Sequence, residues 1–104
     1  MTKLVVDPGI CGFKATIEAT AVSDCVAKVT VTSDCEKAVG AGELLAEVDY
    51  FSILKRQGGS YNAYLEAVSN MEHSACPIPV AILKAAEAEL GFAAAKDVSF
   101  HFQK

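Results

Sequence analysis

Phe13-Lys14-Ala15-Thr16-Ile17-Glu18-Ala19-Thr20-Ala21 and Cys25-Val26-Ala27-Lys28-Val29-Thr30-Val31-Thr32, joined through Val22-Ser23-Asp24, decide the fold. In an extended chain Phe13, Ala15, Ile17, Ala19 and Ala21 share one face, and Lys14, Thr16, Glu18 and Thr20 share the other. A period of two describes a strand buried on one side only. The second run repeats it, with Cys25, Ala27, Val29 and Val31 inward and Lys28, Thr30 and Thr32 outward. With the Ser23-Asp24 turn between them, the two runs form an antiparallel hairpin.

Outward from this hairpin, Leu4-Val5-Val6 reads as a short strand stopped by Asp7-Pro8-Gly9, and Val98, Phe100 and Phe102 alternate with Ser99, His101 and Gln103 as a further one-sided strand. Between them the pattern is helical. Ser33 and Glu36 have capping-box spacing, which places Ser33 at the N-cap and Cys35 at N2, ahead of a stripe of Ala38, Ala41, Leu44, Leu45 and Val48. Asp49 caps a second short turn with Tyr50, Phe51, Ile53 and Leu54, which Gln57-Gly58-Gly59 ends. Ser60 caps a helix whose stripe is Tyr61, Tyr64, Leu65, Val68 and Met71. A last helix begins at Pro77, carries Ile78, Ile82, Leu83, Ala86 and Leu90, and ends with Gly91 as C′. This order predicts a single α+β domain over residues 1–104: two layers, with a three- or four-stranded, mostly antiparallel sheet and helices packed on one face.

At 104 residues the chain is long enough to form a core without disulfide staples, and 52% of it is hydrophobic. A net charge of −4, with Lys55-Arg56 as the longest basic run, argues against nucleic acid or an anionic membrane as a partner. The opening residues show no signal-peptide pattern, and no stretch has membrane-spanning length. The expectation is a cytoplasmic protein whose four cysteines stay reduced.

Three of those cysteines occupy places where backbone N–H groups are free to face sulfur: Pro8-Gly9-Ile10-Cys11-Gly12, Ser33-Asp34-Cys35-Glu36 and Ala75-Cys76-Pro77-Ile78-Pro79. Such donors, with the helix dipole, favour the thiolate. With Pro77 at N1, Cys76 becomes the N-cap and the amide of Ile78 is left free to face its sulfur. The hairpin puts Cys11 and Cys35 at the same end of a strand pair. Cys76 joins them if the last helix starts at that edge. Three convergent thiols suit zinc or an iron–sulfur cluster, with His73 or Cys25 as a candidate fourth ligand. Against this, Cys25 is in phase with core residues and reads as a small hydrophobe, and His73 as an exposed loop residue.

The Ala75-Cys76-Pro77-Ile78-Pro79-Val80 stretch resembles the Cys-Pro-x-Pro helix start of the TusA-like sulfur-carrier family. That resemblance implies Cys76 as the thiol carrying a persulfide between sulfur-transfer partners. In that family, however, the motif follows the first strand. Over nearly the whole chain, the PGxCG, SDC and CPxP motifs also resemble a group of small uncharacterised proteins from anaerobes, which implies no activity but directs attention to the same three cysteines.

Other features read as structural. Gly58-Gly59-Ser60 lacks the lysine and spacing of a phosphate loop. Glu43 with Glu47, and Glu87 with Glu89, read as solvated helix faces, and His101 as solvent-exposed. No constellation of an enzyme's catalytic residues is present. The leading expectation is a metal- or iron–sulfur-binding protein using Cys11, Cys35, Cys76 and His73. A persulfide carrier using Cys76 is the alternative, and a structural or interaction module, as a homodimer through an exposed sheet edge or with another protein partner, is the third.

Overall fold

The computed structural model describes residues 1–9, 11–51, 61–73 and 75–103. Strands β1 (Thr2–Val6), β2 (Ala15–Ala21), β3 (Val26–Ser33) and β4 (Glu47–Asp49) form an antiparallel sheet in the order β1-β2-β3-β4. Helices α1 (Glu36–Leu44), α2 (Tyr61–Asn70) and α3 (Ile78–Glu89) complete the α+β fold. The alternation holds through the middle of the hairpin, where Ile17 pairs with Val31 and Ala19 with Val29, and Ala15, Ile17, Ala19, Ala27, Val29 and Val31 are buried beneath the helices; at the turn Ala21 is exposed and Cys25 only partly buried. The hairpin register runs from Ala21↔Ala27 at the turn to Ala15↔Ser33 at the open end.

α3 lies over β1 and β2, while α1 lies over β3. α3 buries Ile78, Pro79, Ala81, Ile82, Ala85 and Ala86. Its end is a Schellman closure: Gly91 N–H donates to Ala88 O, Phe92 N–H donates to Glu87 O, and Gly91 has φ 79°. α1 sits close to the sheet because Gly42 has no side chain. A Cβ there would lie 2.6 Å from Val31 Cγ2 and 2.8 Å from Val31 Cβ.

Several local expectations shift. Residues 47–49 are a strand, so the first helix stops at Leu44 and Val48 pairs with Ala27 instead of continuing the helical stripe. Phe13 precedes β2 and is exposed. In α2 the buried stripe runs through Ala67 and Met71, with Tyr64 partly buried and Leu65 exposed. Asp49 does accept the N–H of Phe51, as a capping side chain would. Ile53, Leu54, Gly58, Gly59 and Ser60 fall outside the described residues.

The expected strand at Val98–Phe102 is not formed. These residues make no sheet pairing, and Val98, Phe100 and Phe102 are exposed. Alternation supplies the face of a strand but not its partner edge. Glu89 also departs from expectation. Its carboxylate accepts from Thr2 Oγ1 at 2.8 Å and from the Ala21 N–H at 2.9 Å, and it lies 3.4 Å from the N-terminal amine. These donors hold its pKa below the ordinary value. It ties the C-terminal end of α3 to the hairpin end of the sheet.

Candidate thiol site

With the end of α3 tied to Thr2 and Ala21, the start of α3 falls at the opposite end of the sheet, where β1 finishes, β2 begins and β3 finishes. A helix of 12 residues is about 18 Å long, close to the length of β2, so the two elements begin and end together. This common end carries all three cysteines singled out above.

Cys11 is exposed, on the turn between β1 and β2. That turn closes through Gly12 N–H to Gly9 O at 3.0 Å, with both glycines at positive φ (98° and 73°). A side chain at either would strain the backbone, so the two glycines set the path on which Cys11 sits. Asp7 fastens its start by accepting the N–H of Gly9.

Cys35 is the N-cap of α1, not its second residue. The strand pairing carries on through Ser33, whose Oγ donates to Lys14 O and accepts the N–H of Cys35. Ser33 therefore stitches β2 to β3 and hands the capping position to Cys35. The Cys35 carbonyl receives the first helical bond, from Val39 N–H. Its side chain packs partly buried against the core.

Cys76 is held by the start of α3. Its N–H donates to His73 O, and Ala81 N–H donates to Pro77 O. The expected cap is displaced by one residue: Pro77 (φ −77°, ψ −5°), not Cys76, is the N-cap of α3, and Cys76 is the residue before it. The Ile78 N–H bonds back to the Cys76 sulfur, as the sequence reading expected. Burial pushes the Cys76 thiol above its ordinary pKa, the Ile78 N–H pulls it down, and charge on Cys11 and Cys35 pushes it up. Burial is the largest of these effects, so the thiolate expected at this helix start is disfavoured, with Cys11 and Cys35 adding the smallest contributions.

The three sulfurs are not in ligand contact. Among the described residues, no three His, Cys, Asp or Glu side chains are disposed to hold a metal ion. All four cysteines are free thiols. His73 is exposed, three residues before Cys76. Cys25 lies at the hairpin turn, the far end of β2 and β3 from Cys35, roughly 20 Å away along the strands. It cannot share a ligand set with the other three, which removes it as a fourth ligand.

A cleft of about 880 Å³ opens from Cys76 along β1, between that strand, α3 and residues 93–98. Sequence reasoning had no signal for it, because it arises from where the C-terminal segment lies relative to an unpaired sheet edge. Among the described residues, no helix is long and apolar enough to cross a membrane.

Residues 2–102 match a family of unknown function (DUF6951), and the chain belongs to that family. No curated protein and no solved structure matches it.

Proposed function

We propose that this member of the family uses Cys11, Cys35 and Cys76 as thiolate ligands for a soft metal centre, zinc or an iron–sulfur cluster. The observation that carries the reading is placement: Cys11 on the β1–β2 turn, Cys35 at the head of α1 and Cys76 before α3 stand at one end of the sheet. Charge on Cys11 and Cys35 makes ionising Cys76 costlier. A bound cation reverses the sign of that interaction, turning three mutually repelling thiolates into an attractive set. The Ile78 N–H already donates to the Cys76 sulfur and continues to do so when that sulfur is ionised, which lowers the cost of ligation.

Zinc requires four ligands at about 2.0–2.3 Å, so three sulfurs leave one place. His73 is the residue assigned to it, being tied to Cys76 through its carbonyl and exposed in its side chain. Cys11, on the exposed glycine turn, is the ligand with room to move inward. Four free thiols persist in a reducing compartment, so the reading places the protein in the cytoplasm.

A thermal-melt series with added zinc tests this. Metal that binds the native fold raises Tm by mass action. The wild type is expected to shift, as is Cys25→Ser, whereas Cys11→Ser, Cys35→Ser and Cys76→Ser each lose the shift. A shift that survives in all three single variants would remove the shared site.

The second reading is sulfur transfer at Cys76, in which the outer sulfur of a donor persulfide moves to the Cys76 thiolate as the donor thiolate leaves. The Ile78 N–H at that sulfur favours it. The raised pKa counts against it, because a protonated thiol is the weaker nucleophile.

A further inference from the structure

We infer that the chain associates with a second copy of itself by exchanging C-terminal segments, residues 98–102 of each copy adding as a strand to the outer edge of β1 in the other. Two features of the fold lack partners, and they are complementary. Among the described residues β1 is an edge strand, paired with β2 alone, and its Val5 is 63% exposed. A row of unpaired backbone groups on a sheet edge is a template for another strand. Val98, Phe100 and Phe102, spaced two apart, are 53%, 85% and 100% exposed. They have the alternation of a one-sided strand and no sheet to join.

The chain's own edge does not take up this segment. Residues 93–98 and Phe100 already line the cleft beside β1 of the same chain without pairing to it, and Phe100 and Phe102 remain largely exposed. The point of departure is fixed by the Schellman closure at Gly91 and by Phe92, whose ring stacks on Tyr50 with centroids 3.7 Å apart. Exchange therefore requires residues 93–100 to leave the cleft along their own β1 and turn outward beyond that anchor.

The area suits a dimer. A phenylalanine buries about 150–250 Å², so one segment covers roughly 400 Å² of its own apolar surface and a similar area of the edge it joins. Two reciprocal exchanges reach roughly 1,600 Å², the size of a standard specific interface. Charge does not oppose it. Residues 98–102 contain no Lys, Arg, Asp or Glu, so pairing sets no like charge against Lys3, the charged side chain of β1. The exchange is isologous and closes on two copies.

Light scattering across a concentration series tests the inference, reading whether the mass is 10.9 kDa or twice that. The wild type is expected to dimerise. Phe100→Ser with Phe102→Ser is expected to weaken association by about a hundredfold or more, through loss of two buried rings. Val5→Lys places a charge on the receiving edge and is expected to weaken it as well. All three positions are exposed in the isolated chain, so the folded monomer survives in each variant. His101→Ser, on the other face of the segment, is expected to leave the dimer intact. A wild type that stays monomeric would overturn the inference, whether or not its β1 amides are protected from exchange. So would a dimer indifferent to the phenylalanine pair, or one that loses to that pair but ignores Val5→Lys.

Discussion

Gly42→Ala adds one methyl group at the closest approach of α1 to β3, and its effect can be worked from two distances. The new Cβ would sit 2.6 Å from Val31 Cγ2 and 2.8 Å from Val31 Cβ, about 1 Å inside ordinary carbon–carbon contact. Val31 cannot swing away. The atom at 2.8 Å is its Cβ, fixed to the backbone of a strand paired on both sides. Relief therefore requires α1 to lift from the sheet, and overpacking of this kind costs typically 1–3 kcal/mol, here toward the upper end. Alanine's better helix propensity offsets about 1 kcal/mol. The expected net loss is about 2 kcal/mol, a fall in Tm of roughly 8 °C or more for a domain of this size. Gly40, in the same helix, is the internal control, since nothing lies within 4 Å of its added Cβ. Gly40→Ala should stabilise by about 0.5–1 kcal/mol. Urea or thermal denaturation of both variants measures the difference. If Gly42→Ala matches the wild type or exceeds it, α1 is not held against Val31 as described. The position of Cys35 at the head of that helix would then lose its support.

Glu89 is held below its ordinary pKa of 4.5, so its contribution is present above that value and is lost as pH falls through the lower folded-state pKa. Glu89→Gln should be less stable than wild type at neutral pH, and the gap should close in acid denaturation series. Ile17→Ala removes a side chain with 0% exposure at the centre of β2 and should cost about 2–5 kcal/mol in urea denaturation. Cys11→Ser or Cys35→Ser should lower the pKa of Cys76, because each removes a repelling thiol, shifting the pH profile of Cys76 alkylation to lower pH. An unmoved profile in both variants would show that the sulfurs do not share a field.

The hairpin and α3 were legible because their signals are local. Alternation from Ala15 to Val31 fixes which face is buried, and the strand pairing that follows brings Cys11 and Cys35 to one end. Pro77 and Gly91 bracket α3, and a proline start and glycine stop are constraints of the backbone itself. The misreadings were non-local. Glu47-Val48-Asp49 is too short for alternation to show, and Val48 fits the helical stripe of Ala41, Leu44 and Leu45 equally well until Ala27 is seen beside it. Ser33 reads as a helix cap until its hydroxyl is seen donating a hydrogen bond to Lys14 O, which keeps it in the strand. Glu89 looks solvated on its own helix, and its role depends on Thr2 and Ala21, far away in sequence. The same limit applies to Val98–Phe102: the pattern of a strand is local, while the edge that receives it is not.

Metal content decides whether Cys11, Cys35 and Cys76 act together. Protein purified without oxygen should carry stoichiometric zinc, or iron with a visible absorption band, and Cys11→Ser, Cys35→Ser and Cys76→Ser should each lose it while Cys25→Ser retains it. Wild-type protein free of both metals after anaerobic purification, with intact free thiols, would contradict the account and leave the chemistry of Cys76 alone as the reading to pursue.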